Sequence, residues 1–128
     1  MPSTFVYKQT VVTPSGTVIY SGSATGNMFV SIDEAIEADA TTEIICALDV
    51  SAVTGFLIAS SVNCEVRTND ADAPADTIEL VAGTPYVWTS NSYSDFVLGT
   101  DVTKFCFVVA GDAAGTVAIQ AVCDPTPA

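Results

Sequence analysis

Short runs rich in Val, Ile, Thr, Phe and Tyr, separated by clusters of Gly, Pro, Asn, Asp and Ser, dominate this sequence. Runs of this kind are typical of strands, and the clusters between them are typical of turns. The runs recur about every 8 to 12 residues, and no helix-length pattern of roughly 10 residues separates them. The sequence therefore predicts an all-β protein, an antiparallel β-sandwich or jelly-roll-like domain of about eight strands.

The individual strands can be placed from the same pattern. We predict them at residues 5–12, 17–23, 28–38, 43–50, 63–68, 77–81, 85–89, 104–110 and 115–122. The first two should form a hairpin, because Pro14 presets φ for a turn and Gly16 tolerates a positive φ at its exit. The run 43–50 is almost continuously apolar, which predicts a strand buried on both faces. After it, Leu57 and Ile58 are expected to contact the core.

One segment is ambiguous. In residues 28–38, Val30, Ile32 and Ile36 fall on one side of an extended chain, which favours a strand. The sequence Ser31-Ile32-Asp33-Glu34 also fits a capping box, so one or two helical turns beginning at Ser31 remain an alternative.

Length and composition indicate one folded domain. The chain has 128 residues, of which 49% are hydrophobic and 14% are charged, enough apolar material for a single core. No internal repeat is visible. We predict a single β-sandwich domain over residues 1–128, with a short flexible tail at residues 124–128.

The charge is one-sided, with 15 acidic residues against three cations and a net charge of −12. Nucleic-acid binding needs clustered positive charge, so neither nucleic acid nor an anionic membrane surface is expected as a partner. The longest apolar run, residues 105–110, is far shorter than the ~20 residues of a membrane-spanning helix. The acidity is typical of a soluble protein, and it leaves a basic partner open.

The sequence shows no catalytic arrangement. It has no histidine, which excludes Ser-His-Asp and Cys-His mechanisms. Lys8 and Lys104 lack a recognisable nucleophile motif nearby, and surface ion pairing is the simpler interpretation for both. The glycines form no phosphate-binding motif. We therefore predict a protein that is not an enzyme, with no catalytic residues and no cofactor.

The four cysteines are expected to be free. The N-terminal residues lack a secretory signal pattern, so synthesis in the cytoplasm is expected, where thiols stay reduced. The sequence has no C-x-x-C pair, and with no histidine a zinc site would need an unusual all-cysteine set. The cysteines lie among apolar neighbours, as small core residues do. They are Cys46, Cys64, Cys106 and Cys123.

The densest acidic stretch lies at residues 69–76, where the pattern predicts a loop. It offers Asn69, Asp70, Asp72 and Asp76 as candidate partner contacts. Oxygen ligands at this density could bind calcium, but the stretch lacks the central Gly and the terminal Glu of an EF-hand. The alternative is a polar turn whose side chains hydrogen-bond their own backbone, and we predict no metal.

Aromatic residues and the tail give further candidate contacts. Tyr86, Trp88 and Tyr93 could form a carbohydrate platform, although such rings more often line a core or a subunit interface. Asp124 and Pro125, in the tail, could carry recognition.

Two parts of the chain carry motifs of a recognisable kind. They are Pro74-Ala75-Asp76-Thr77-Ile78, Leu80-Val81-Ala82-Gly83-Thr84-Pro85-Tyr86-Val87-Trp88-Thr89, Asp101-Val102-Thr103-Lys104, Ala114-Gly115-Thr116-Val117-Ala118-Ile119 and Asp124-Pro125-Thr126-Pro127. With these motifs the chain resembles small tailed-phage virion proteins, over roughly residues 50–127. Cys106 and Cys123 depart from the pattern, because aliphatic or aromatic residues usually occupy these positions in the group. All of these motifs are structural and none is a catalytic signature.

The resemblance implies a head decoration or cement protein that binds the outside of the capsid lattice. Its partner would be the major capsid protein, and it would be a homo-oligomer, with a trimer favoured. It would be made in the host cytoplasm and located on the capsid surface of the virion. The alternative is a tail-tip or host-surface module that binds carbohydrate through the region of Tyr86, Trp88 and Tyr93.

Overall fold

Ten strands occupy most of the chain that the structure describes. The structure is a computed structural model that describes residues 3–13, 16–26, 28–90 and 95–123, with side chains from residue 30 onwards in those ranges. The strands are β1 (Ser3–Thr13), β2 (Gly16–Gly26), β3 (Met28–Ile36), β4 (Ala40–Leu48), β5 (Val53–Ser60), β6 (Cys64–Thr68), β7 (Thr77–Leu80), β8 (Tyr86–Thr89), β9 (Val102–Val109) and β10 (Gly115–Cys123). A single 3-10 turn, Val50–Ala52, precedes β5.

Strands β3 to β10 form two four-stranded antiparallel sheets. Sheet I has the order β3-β10-β5-β8, and sheet II has the order β4-β9-β6-β7. The pairs are nested along the chain: β6 pairs with β7, β5 with β8, β4 with β9 and β3 with β10. A long hairpin wound into two facing sheets in this order is a jelly roll. The predicted fold class is confirmed and takes its jelly-roll form.

The core lies between the two sheets. Phe56 and Ile58 from sheet I meet Val66, Phe105 and Phe107 from sheet II, and all five side chains are 0% exposed. Each alternates along its strand with a residue on the outer face, as the two-residue period of a strand requires. Burial of each such side chain stabilises the fold by about 1.5–3 kcal/mol.

Strand β4 departs from its prediction. Ile44, Cys46 and Leu48 face the core, but Ile45 between them is 77% exposed. β4 is at an edge of sheet II, and only its inner face is covered. The prediction that this run is buried on both faces is therefore wrong.

Strand β5 is a central strand of sheet I. Ile58 is 0% exposed and contacts the core, as predicted. Leu57 points to the opposite face and packs with Val87 and Val122 in a separate apolar cluster. The prediction that Leu57 contacts the core is wrong, because alternate residues of a strand face opposite sides.

The N-terminal segment forms the predicted hairpin. β1 and β2 pair antiparallel, with Thr13 opposite Gly16, and each strand is longer than predicted. Within the described residues, no strand pairing joins this hairpin to either sheet. The next element, β3, is extended throughout, so the helical alternative at Ser31 is wrong.

All four cysteines are free and buried. Cys46, Cys64 and Cys123 belong to the core, as predicted. Cys106 is 0% exposed but lies outside that core cluster, on the outer face of sheet II, between Glu43 of β4 and Arg67 of β6 in the strand register. Burial raises the pKa of the Cys106 thiol.

Candidate interaction surface

Three loops meet at one end of the jelly roll, which we call the acidic loop end. They are residues 49–52, 69–76 and 95–101, and the last two are joined by side-chain hydrogen bonds. Six acidic residues lie in these loops: Asp49, Asp70, Asp72, Asp76, Asp95 and Asp101. The predicted loop contacts Asn69, Asp70, Asp72 and Asp76 therefore fall on one surface.

Asn69 fixes the first turn of the acidic loop end. Its φ of 71° lies in the left-handed region, which asparagine tolerates better than most residues. Its side-chain Nδ2 donates to the Asp101 carbonyl at 2.9 Å. Its Oδ1 accepts from the Thr103 N–H at 2.7 Å and from the Thr103 hydroxyl at 3.1 Å. One side chain thus ties the β6–β7 loop to the start of β9.

Asp76 makes a second tie between the same loops. Its Oδ2 accepts hydrogen bonds from the N–H groups of Gly99 and Thr100, at 3.1 and 3.2 Å. Its own N–H donates to the Thr68 hydroxyl at 3.0 Å, and its carbonyl accepts from the Thr68 N–H. The residue therefore closes the 69–76 loop at the beginning of β7.

Three more carboxylates of the acidic loop end also accept from loop backbone. Oδ1 of Asp70 accepts from the N–H groups of Asp72 and Ala73, at 2.9 and 3.4 Å, and these bonds lower the pKa of the Asp70 carboxyl. Asp101 Oδ1 accepts from the Val50 N–H at 3.0 Å. Asp49 caps the 3-10 turn by accepting from the N–H of Ser51 at 3.1 Å.

The 69–76 loop is a polar turn whose side chains bond to backbone groups, which was the predicted alternative to a calcium site. Four carboxylates, those of Asp49, Asp70, Asp76 and Asp101, each accept from backbone donors through one oxygen, and these bonds help to hold the loops in one shape. Among the residues with described positions, no group of three or more His, Cys, Asp or Glu could hold a metal ion. The exposed Asp72 carboxylate lies on the outside of this loop.

The aromatic candidates lie behind the loops and not on top of them. The Trp88 ring stacks on Phe96, with centroids 4.5 Å apart, and Phe96 packs edge-on against Phe56 at 5.2 Å. The Tyr86 hydroxyl accepts from the Val97 N–H at 3.2 Å, and burial raises the pKa of Tyr86. Tyr86 and Trp88 are half-buried against the core. This matches the core-wall interpretation of these two residues.

Three sequence candidates cannot be placed on this surface. Tyr93, Asp124 and Pro125 lie outside the described residues. Asp49 and Asp101 were not predicted as contacts. Their only signal was position: Asp49 is the next-to-last residue of the predicted strand 43–50, and Asp101 lies three residues before the predicted strand 104–110. Side chains near strand ends commonly cap backbone groups.

The two cations with described side chains are both held by neighbouring carboxylates. Lys104 Nζ lies 3.0 Å from Glu43 Oε2 across the β4–β9 pair, and this hydrogen bond raises the pKa of Lys104. Arg67 pairs with Glu65 and also donates to the Ala71 carbonyl at 2.7 Å. The acidic residues outnumber these cations, so the described surface of the jelly roll is acidic.

A wide groove of about 770 Å³ lies on the outer face of sheet II, away from the acidic loop end. Val62, Val81 and Val108 supply apolar lining, and Glu79 and Asp112 are among its acidic residues. The groove is open to solvent and adds acidic surface.

No protein-family model matches the chain, and neither a curated protein nor a solved structure shows a significant match to it. Within residues 3–13, 16–26, 28–90 and 95–123, no helix is long and apolar enough to cross a membrane.

Proposed function

We propose that the protein is a non-enzymatic virion protein of the decoration type, which binds the outer surface of the major capsid lattice and stabilises it. The observation that carries this proposal is the acidic loop end. Its loops are joined by side-chain hydrogen bonds of the Asn69 amide and of the Asp76 and Asp101 carboxylates. A surface with one fixed shape loses little conformational entropy when it binds.

Such a surface suits a partner that repeats on a lattice. Each contact of a decoration protein can be weak, because many copies bound to one shell, or several sites on one oligomer, add through avidity. The acidic loop end would be complementary to a neutral or basic patch on the capsid, and charge complementarity would favour that orientation. The resemblance over roughly residues 50–127 points to the same class of protein.

The tail-tip or carbohydrate-binding alternative depends on exposed aromatic rings. Trp88 is stacked on Phe96, and the hydroxyl of Tyr86 is bonded to the backbone. No observation on the described residues therefore favours this alternative over the decoration role.

The proposal is tested by binding the purified protein to capsid shells stripped of it, from the phage that encodes it. Asp72→Lys reverses a charge on the acidic loop end, and Asp112→Lys makes the same change in the loop after β9, at the other end of the jelly roll. We expect Asp72→Lys to weaken cosedimentation roughly tenfold, equivalent to about 1.4 kcal/mol. Asp112→Lys should bind within about twofold of the wild type.

Quantitative mass spectrometry of purified virions gives the independent readout. A copy number equal to that of the major capsid protein, or a simple fraction of it, supports decoration. A handful of copies would favour the tail, and complete absence from virions would refute the proposal. Equal weakening by the two lysine variants would refute the acidic loop end as the contact.

A further inference from the structure

The charge of the chain divides sharply between the N-terminal hairpin and the jelly roll. All 15 acidic residues lie at or after Asp33, whereas the 32 residues before it contain one cation, Lys8, and no acid. Two acidic jelly rolls repel each other. The β1–β2 hairpin is the segment that can approach a second copy without adding to that repulsion.

The hairpin lies against a particular surface, the outer face of sheet I. β2 lies close to β5, β8 and β10, and β1 lies close to β10. On that face Leu57, Val87 and Val122 form the apolar cluster outside the core, and Val122 is 0% exposed although it points away from the core. Because the inner face of sheet I is filled by sheet II, the cover on this cluster is the hairpin.

The hairpin is not part of either sheet of its own jelly roll. No backbone pairing joins it to sheet I or sheet II within the described strands. One residue separates the end of β2 at Gly26 from the start of β3 at Met28. A hairpin held in this way can exchange the face of its own chain for the same face of another, which is a low-cost route to an oligomer.

The hairpin and the face also differ in length. Each hairpin strand has 11 residues, or about 37 Å, whereas β5 has 8, or about 27 Å. Part of the face also remains open as a groove of about 260 Å³, whose lining includes Asp33, Ala59 and Ala118. The acidic residue of this groove would attract a hairpin whose one charged residue is the cation Lys8.

We propose that the β1–β2 hairpin packs on the outer face of sheet I of a second copy of this chain and holds a homo-oligomer together. The contact is between an acid-free hairpin and an apolar face on an acidic domain. This inference does not depend on the capsid proposal, since it concerns the purified protein alone, and either one can fail without the other.

The first test is light scattering of the purified full-length protein during size exclusion, over a range of micromolar concentrations. We expect a mass of at least twice 13.2 kDa, in whole multiples of that value. Val87→Asp places a charge in the apolar cluster and should give a monomer. Val81→Asp is the matched control, because Val81 is 60% exposed in the β7–β8 loop, and it should keep the oligomer.

Circular dichroism and thermal unfolding establish that each variant is folded. If Val87→Asp does not fold, Val87→Thr replaces it; threonine has nearly the same shape, and its buried hydroxyl should raise the dissociation constant roughly tenfold. A monomeric wild type, or a folded Val87→Asp or Val87→Thr variant that associates like the wild type, would overturn the proposal.

The position of the hairpin is tested by carbodiimide cross-linking of a re-equilibrated mixture of ¹⁴N- and ¹⁵N-labelled protein. Lys8 is the only lysine before Asp33, so its links to carboxylates report the hairpin. Lys8 cross-links between a ¹⁴N chain and a ¹⁵N chain would support exchange of the hairpin between copies. The proposal would be overturned if Lys8 formed cross-links only within single chains, or formed none.

Discussion

The side-chain oxygen of Asn69 accepts a hydrogen bond from the backbone N–H of Thr103, at 2.7 Å. Residue 69 directly follows β6 and residue 103 lies at the start of β9, so this bond fixes the spacing between the 69–76 loop and β9. The left-handed φ of Asn69, 71°, places the side chain where it can make the bond. Conformation and hydrogen bonding thus support each other at one residue.

Replacing Asn69 should separate these two contributions. Asn69→Ala loses the side-chain bonds and leaves a Cβ in the left-handed region, so we expect the free energy of unfolding to fall by about 2–4 kcal/mol. Asn69→Gly loses the bonds but tolerates the φ, so the loss should be about 1–2 kcal/mol. Urea unfolding measures both, and an equal or larger loss for the glycine variant would contradict the account.

Asp76 should contribute stability that Asp72 does not. Asp76→Ala removes the acceptor for the N–H groups of Gly99 and Thr100, and we expect a loss of about 1–2 kcal/mol in the free energy of unfolding. Asp72→Ala removes an exposed carboxylate of the same loop and should change it by less than about 0.5 kcal/mol. If Asp76→Ala and Asp72→Ala lowered the free energy of unfolding by the same amount, the bonds from Asp76 to Gly99 and Thr100 would make no specific contribution to stability.

Two adjacent isoleucines in β4 should contribute very different amounts to the free energy of unfolding. Ile44 is 9% exposed and faces the core, whereas Ile45 is 77% exposed. We expect Ile44→Ala to destabilise the protein by about 2–4 kcal/mol and Ile45→Ala by less than about 0.5 kcal/mol. Thermal or urea unfolding of the pair decides the register of this strand. The reverse order would mean that β4 is shifted by one residue.

The buried thiols predict how stability depends on pH. Burial raises the pKa of Cys46, Cys64, Cys106 and Cys123 above the ordinary value of about 8.5. Above that pH the unfolded chain loses thiol protons that the native chain keeps, so the free energy of unfolding should fall as pH rises. Urea unfolding between pH 7 and about 9.5 measures the slope.

A thiol reagent gives the control for this prediction. At about pH 8 the native protein should react negligibly, and denatured protein should show all four thiols. The variant Cys106→Ala should show a shallower decline of stability with pH than the wild type. An unchanged slope would mean that Cys106 titrates alike in the folded and unfolded chains.

Local sequence signals predicted most of the strands, because runs of β-branched and aromatic residues between turn residues have a local physical cause. They did not predict which strands lie at sheet edges. The apolar run of β4 has the composition of a strand that is buried on both faces. Ile45 is exposed because β4 lies at an edge of sheet II and its outer face is not covered, which the local sequence does not show. Leu57 and Ile58 are neighbours in one strand, so they face opposite sides and cannot both contact the core. The local sequence does not show that Leu57 packs in a second apolar cluster on the outer face.

The acidic loop end was predictable in part. The bonds of the Asp70 carboxylate to the next turn of its own loop follow from residue type alone. The bonds of Asn69 and Asp76 reach residues 23 to 34 positions away, and they exist only because the jelly roll brings β6 and β9 together. Sequence patterns therefore located the loop but could not supply its partners.

The position of β10 has a consequence for the order of folding during synthesis. β10 lies between β3 and β5 in the middle of sheet I, yet it is the last of the ten strands to be made. Until residues 115–123 leave the ribosome, β3 has no partner, and β5 pairs with β8 alone. Sheet I therefore closes late, through a contact that spans most of the chain, and such distant pairings fold slowly. Newly made chains should expose an apolar half-sheet to chaperones before they become competent to assemble.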